Sequence, residues 1–406
     1  MVRDTRQVDA GPTAHGEQYD VVIAGGAVMG SSIAYHLAAN PDFNGSVLVV
    51  EKDPSYQYCA SALSAASIRQ QYSTPVNVAI SLYGIQFLRA IGEQLAVDGE
   101  RPEIGLKEAG YLFLATAEGR SVLEDNHRVQ IENGADILFL EPDALLARFP
   151  WLNVDDIAAG TWGRTGEGWF DGYGLMQAYR RKARAAGVVY RTGSVKGFRR
   201  GGNRLVAVLL EDGSEICCGT VVNAAGAGGP AIAEAAGLAI PVRNKKRMIF
   251  TFDCQDPVPD CPLMIDPSGV YVRPEGKGFI CGSSPPSDQD PDSSDFDVDY
   301  GFFDEVIWPV LAARVPAFER IRPGRAWAGH YDMNLFDHNA FVGSAPEIEN
   351  FYLANGFSGH GLQQSPAVGR GLAELIVYGG YRSLDLTPLS FRRLLENRPL
   401  VERNVV

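Results

Sequence analysis

Much that would tie a chain to a metal, a membrane or a nucleic acid is missing here. The six cysteines, Cys59, Cys217, Cys218, Cys254, Cys261 and Cys281, contain no C-x-x-C pair and have no histidine at zinc-finger spacing, so neither a metal site nor a disulfide framework is expected. They read instead as small, buried or half-buried thiols. No run of about 18 apolar residues occurs, which leaves no segment to span a bilayer as a helix. Residues 1–18 are polar, carry Asp4, Asp9 and Glu17, and lack the apolar stretch of a signal peptide, so the expectation is a flexible tail on a cytoplasmic protein. Positive charge is short as well: 36 Lys and Arg against 49 Asp and Glu leave a net −13, which argues against a nucleic acid or an anionic membrane as main partner. Neither an internal repeat nor a long linker is present.

What is present fits a folded enzyme. Hydrophobic residues make up 46% and charged residues 21%, which excludes disorder as the main state, and 406 residues exceed what one core supports. Residues 19–25 are a continuous apolar run of the kind a doubly buried parallel strand needs, residues 28–40 carry one apolar helical face, and residues 46–51 form a second apolar strand ending on Glu51. This is a βαβ unit. Short strands near 109–116, 137–141, 160–170 and 248–252 point to a separate, mainly antiparallel sheet. The chain then returns to the first unit twice, through Asn223-Ala224-Ala225-Gly226 and through a strand at 351–355 followed by a helix from about Pro366. The predicted fold is α/β, a Rossmann-like nucleotide unit (19–100, 150–235, 325–380) interleaved with an α+β unit on an antiparallel sheet (101–149, 236–324), with 381–406 as a C-terminal extension.

Gly25-Gly26-Ala27-Val28-Met29-Gly30 lies between strand and helix, where a dinucleotide fingerprint belongs, and Glu51 follows Gly30 by 21 residues at the end of the second strand. The helix N-terminus offers N–H groups to a pyrophosphate and Glu51 can accept from ribose hydroxyls. The second fingerprint glycine is Ala27, a departure that a slight shift would accommodate. A glutamate at Gly30 is expected to drive a carboxylate toward the phosphates.

The interleaving, the Ala225-Gly226 turn and above all Gly356-Phe357-Ser358-Gly359-His360-Gly361-Leu362-Gln363-Gln364 resemble the D-amino-acid-oxidase-like flavoproteins, relatives of sarcosine oxidase, glycine oxidase and D-amino-acid dehydrogenases. With Ala328-Gly329-His330-Tyr331-Asp332, the chain is most similar to the branch that includes the mitochondrial complex I assembly factor. The resemblance implies noncovalent FAD: no cysteine stands near Gly329, where some relatives tether the flavin. It also implies cofactor contacts from Gly25, Ala27, Val28, Met29, Gly30, Glu51 and Lys52, from Ser61 and Ser64 in an Ala/Ser-rich stretch, and from Val195 at the adenine. Ala225, Gly226, Gly329, and Gly359 to Gln363 by way of His360, Gly361 and Leu362, complete that set.

For substrate, the resemblance nominates Tyr271 over the flavin and Arg247 as a carboxylate anchor. The period of two puts Arg273 on the face of Tyr271, which makes it a rival anchor. His360 could add to the field at the flavin. Three departures from the family shape the expected function. Tyr331 replaces a second carboxylate-binding arginine, Gln363 replaces a lysine, and the strand near 278–282 lacks the lysine that speeds reaction with O₂. The expected activity is hydride removal from the α-carbon of an amine, amino acid or imino acid, of the D-amino-acid or N-alkyl class. Electrons would pass to O₂, a quinone or another acceptor. A 2-hydroxy-acid dehydrogenase using His330 or His360 as base, and a non-catalytic flavoprotein assembly factor, are the alternatives.

Overall fold

The computed structural model describes residues 17–404. The expected tail lies outside them except for Glu17 and Gln18, and Gln18 already opens the first strand. That strand, Gln18–Ala24, sits at the centre of an eight-stranded sheet. Parallel to it run Val47–Glu51 and then Val189–Thr192 on one side, and Glu215–Asn223 and then Phe351–Asn355 on the other. Val21, Val22, Ile23, Leu48, Val49 and Val50 are all buried, as a strand covered on both faces requires. The helices Val28–Ala38, Gly172–Ala185 and Gly361–Tyr378 cover one face, and the antiparallel pair Val195–Gly201 and Arg204–Leu210 extends from the far half of Glu215–Asn223.

The second sheet also has eight strands, antiparallel except where Leu263–Ile265 runs beside Tyr111–Ala115. Its spine is the long ribbon of Val242–Cys254 against Ile321–Asn334. Two of its members depart from the expected boundaries. Ala159–Gly163 pairs with Tyr111–Ala115, and Ile321–Asn334 belongs to the ribbon, although 150–235 and 325–380 were assigned to the nucleotide unit. The reason is pairing at long range: each strand is claimed by a partner far away in sequence.

Glycine sets the closeness of the first turn. Gly25 has φ +97°, and a Cβ on it would fall 2.5 Å from the Ala224 carbonyl oxygen, so the second Ala/Gly turn lies directly on the first. A Cβ on Gly30 would fall 1.9 Å from the Gly25 carbonyl oxygen. This corrects the expected effect of a glutamate at Gly30. The residue faces the turn's own backbone, not a ligand, so a side chain there breaks the strand–turn–helix contact itself. Gly30→Ala should therefore destabilise the chain by about 1–3 kcal/mol, the usual range for overpacking. The check is thermal unfolding of chain stripped of ligand, and an unchanged midpoint would refute it.

Candidate active site at the junction of the two sheets

Two helix N-termini define the nucleotide end of the site. The first, at Val28, has no side-chain cap from Ala27, and its first turn (Val28, Met29, Gly30) is buried. Val28 N–H donates to Ser61 Oγ at 3.3 Å, and Glu51 Oε2 accepts from Gly26 N–H at 2.7 Å. An uncapped, buried first turn beside a serine hydroxyl is a donor set suited to a pyrophosphate. The Ala27 methyl is half-buried and packs against the core of this unit, which explains how alanine is accommodated at the second fingerprint place. Gly193 N–H donates to the Glu51 carbonyl at 2.9 Å, which puts the nearby Val195 beside the end of the Glu51 strand. Lys52 is exposed, and Ser64 Oγ accepts from Ala66 N–H within its own loop.

The second N-terminus follows the turn after Phe351–Asn355. Gly356, Ser358 and Gly359 all have positive φ, +78°, +51° and +89°. Asp332 holds this turn: its Oδ2 accepts from Gly356 N–H at 2.7 Å and its carbonyl from Ser358 N–H at 3.1 Å. Burial pushes the Asp332 carboxyl up to about 6, against the pull of backbone donors at 356 and 357. A Cβ on Gly359 would meet the Tyr331 ring at 2.4 Å, so the ring lies flat across the glycine. The helix begins at Gly361, not at Pro366. Pro366 leaves the Leu362 carbonyl without its helical donor, and Ser365 Oγ supplies one at 2.9 Å. The N-cap, His360, makes no side-chain cap, which leaves the first N–H groups of this helix open to a ligand. Leu362 and Gln363 are buried, Gly361 packs on Phe357, and Gln363 is turned into the neighbouring segment, bonded to Arg69 N–H at 2.9 Å and Tyr72 Oη at 2.5 Å.

The chain between Cys59 and Ala66 joins the two sheets. Trp327 Nε1 donates to the Leu63 carbonyl at 2.9 Å, a Cβ on Gly329 would touch Leu63 at 3.0 Å, and Arg273 donates to the Ala65 carbonyl from Nε at 3.1 Å and Nη2 at 2.7 Å. Arg273 also meets Glu275, so its fork clamps this loop. Arg247 is held by Asp290 through two bonds of 2.9 Å, and its guanidinium stands 5.5 Å from the centre of the Tyr331 ring. Both Nη groups of Arg247 and the fork of Arg273 are thus committed to the protein, while Arg247 Nε has no hydrogen-bond partner among the described residues. Tyr271 is half-buried across Gly282, with Tyr331 and Tyr111 as neighbours, and burial pushes all three phenols up.

The arginine that sequence reasoning missed is Arg69. It is 2% exposed, its Cζ lies 4.6, 5.7 and 5.3 Å from the ring centres of Tyr72, Tyr111 and Phe113, and its Nη1 has no hydrogen-bond partner. Nη2 donates to His360 Nε2 at 3.0 Å and to the Asn404 carbonyl at 2.5 Å. Burial, with the Arg69 charge beside it, holds the His360 ring well below its ordinary range and therefore neutral. Among the described residues five arginines are buried, and Arg247, Arg273, Arg314 and Arg393 each meet a carboxylate; Arg69 meets none. The sequence held one signal for it: Arg69 is the only charged residue between Asp53 and Arg89.

The fold and these donor sets define a flavin-dependent oxidoreductase, and comparison with known proteins gives the family. Residues 20–375 match the family of FAD dependent oxidoreductases known as DAO, and the chain belongs to it. It is 44% identical to FAD-dependent oxidoreductase domain-containing protein 1 of Xenopus laevis, over 96% of this chain and 85% of that protein. It is 28% identical to sarcosine oxidase subunit beta of an Arthrobacter species, over 93% of this chain and 91% of that one. The crystal structure of L-proline dehydrogenase from P. horikoshii superposes with a TM-score of 0.83 at 26% identity, covering 95% of this chain and all of that one. The cofactor of this family is FAD, which the two uncapped N-termini and Glu51 fit. No helix among the described residues is long and apolar enough to cross a membrane.

Glu167 supports the Arg69 turn from behind. It is fully buried, accepts from Gln70 N–H at 2.5 Å, Gln71 N–H at 3.2 Å and Gln71 Nε2 at 2.8 Å, and burial pushes its carboxyl up to about 7. The folded chain thus keeps a proton that the unfolded chain sheds nearer 4.5, so this group's stabilisation falls as pH rises from 4.5 through about 7. Glu167→Gln should flatten that limb, by about 3 kcal/mol at most. Thermal midpoints at pH 5 and 7.5 test it, and equal slopes in parent and variant would refute it.

Proposed function

We propose that the chain oxidises an amine bearing a carboxylate, of the N-alkyl, cyclic or D-amino-acid class, at its α-carbon to an imine. The observation that carries this reading is Arg69, an enclosed guanidinium with no carboxylate against it and one Nη free. Bound FAD supplies the hydride acceptor. The rest falls to the chain. Arg69 anchors the acid group, and Tyr111, Tyr271 and Tyr331, neutral because burial raises their phenols, wall the site without adding charge. A buried cation next to the amine disfavours a second one, so the substrate amine gives up its proton to solvent on binding and no side-chain base is needed. The second reading, a 2-hydroxy acid, does need one. His360 Nε2 already accepts from Arg69 and His330 Nε2 is bonded to the Asp295 carbonyl at 2.8 Å, which favours the amine.

Arg247 and Arg273, nominated by sequence, serve in this reading as supports, the first behind Tyr331 and the second on the 59–66 loop. FAD is held without a covalent link, since Gly329 stands at the tether place. Anaerobic bleaching tests the class: N-methyl or cyclic amino acids should bleach the flavin and hydroxy acids should not. Arg69→Met should raise the substrate dissociation constant about ten- to a hundred-fold, from the loss of one charge-assisted bond, with FAD content intact and Arg69→Lys falling between. Bleaching by hydroxy acids alone would move the reading to the second class. No bleaching at all, with a stable protein partner, would favour the assembly role.

A further prediction concerns the acceptor. The strand Gly278–Ser283 carries no lysine, so reduced enzyme should be reoxidised faster by a quinone or dye than by air. Stopped-flow mixing measures both rates, and a faster reaction with O₂ would overturn the expectation that the electrons pass to an acceptor other than O₂.

A further inference from the structure

The last described residues return to Arg69 by a route that no nucleotide motif requires. Buried Asp337, paired with Arg393 at 2.6 Å, accepts from Leu400 N–H at 3.0 Å, and its carbonyl accepts from Glu402 N–H at 3.0 Å. Glu402 is 1% exposed and, among the described residues, is bonded only by neutral donors: Ser73 N–H at 2.8 Å, Ser73 Oγ at 2.7 Å, Thr74 Oγ1 at 3.0 Å, Asn77 Nδ2 at 2.9 Å and Asn404 N–H at 3.1 Å. The donors from Ser73, Thr74 and Asn77 surround the start of the helix Pro75–Arg89, whose N-cap Thr74 provides no cap of its own. Glu402 therefore sits where a helix end favours an anion. Two residues on, Asn404 is fixed by Gln71 O at 3.0 Å and Asn126 Nδ2 at 3.0 Å, and its carbonyl meets Arg69 Nη2.

We propose that this C-terminal strap is a positioning element of the acid-binding site. Glu402 docks it, and the Asn404 carbonyl together with His360 occupies both protons of Arg69 Nη2, so that Nη1 is the donor left for a ligand carboxylate. The chemistry explains why a carbonyl does this. A neutral acceptor orients the guanidinium without cancelling its charge, whereas a carboxylate in that place would complete an ion pair and remove the attraction for substrate. The acidic group of the strap is spent on the helix end instead. The proposal rests on the reading of Arg69 as anchor.

The test is titration calorimetry of the FAD-loaded protein with pyrrole-2-carboxylate and, as a neutral isostere, pyrrole-2-carboxamide. A chain ending at Pro399 should bind the acid at least tenfold more weakly while the amide changes less than twofold, and the same truncation in an Arg69→Met background should add nothing. Glu402→Gln, which keeps the strap's length and removes the docking charge, should lie between, and it decides the matter if the shorter chain does not fold. Equal losses for acid and amide, or no loss in either variant, would overturn the strap's role while leaving the anchor intact. A parent chain that shows no preference for the acid, or an Arg69→Met variant that keeps one, would instead overturn the anchor reading.

Discussion

A guanidinium shut away from water has to be answered by something, and around Arg69 the answer is distributed over the whole molecule. Rings from Tyr72, Tyr111 and Phe113 offer their faces, His360 gives a lone pair from the turn that follows Phe351–Asn355, and Asn404 gives a carbonyl from the far end of the chain. None of these carries a full negative charge. Desolvating a cation costs several kcal/mol, which aromatic faces and neutral acceptors offset only in part. The proposed acid-binding role of Arg69 rests on that remainder.

The segment that carries this charge is held from three directions. Glu167 gathers the backbone N–H groups of Gln70 and Gln71, Gln363 takes that of Arg69, and Glu402 takes that of Ser73 with the side chains of Ser73, Thr74 and Asn77. A Cβ on Gly163 would fall 1.6 Å from Glu167 Oε2, so the strand Ala159–Gly163 gives way there to admit the carboxylate. Gln363 belongs to the helix Gly361–Tyr378, whose N-terminus has no side-chain cap. A single glutamine thereby ties Arg69 to the start of that helix. That link explains why a neutral side chain serves at this place: its amide accepts from one backbone group and donates to Tyr72, a double task a lysine cannot perform.

The parts legible in the sequence were those fixed by local rules. The first strand, the glycine turn, the helix and Glu51 announce themselves through unbroken apolar runs and the residue types a close turn admits. The strand Phe351–Asn355 and the Gly356–Gly361 turn read equally well. What escaped depends on distant partners. Ala159–Gly163 and Ile321–Asn334 join the second sheet because of ladders to remote strands, and the helix starts at Gly361, more than a turn before its proline, with Ser365 Oγ bonded to the carbonyl that Pro366 leaves unpaired. Arg247 and Arg273 look like free cations in sequence, yet Asp290, 43 residues from Arg247, and the Ala65 carbonyl, 208 residues from Arg273, engage them. Burial of a charge leaves no local pattern, and Arg69 showed itself only as a solitary charge in an otherwise neutral stretch.

The contrast among the buried arginines bears on what the site can hold. Arg314 with Asp266 and Arg393 with Asp337 are closed pairs: each guanidinium is matched, and each fixes a loop or the C-terminal segment against a sheet. Such pairs attract nothing further, because the charge is already balanced inside the protein. Among the described residues Arg69 has the same enclosure without a carboxylate in contact, and the three raised phenols cannot supply a charge near neutrality. A bound carboxylate would complete the pattern that the other buried arginines show, with the ligand standing where a protein acid stands elsewhere. An amine on that ligand would add a second positive charge to a space already holding one, and so it binds best uncharged. On the proposed reading, an acid held at one end and a neutral amine at the other is the state in which a hydride leaves the carbon between them.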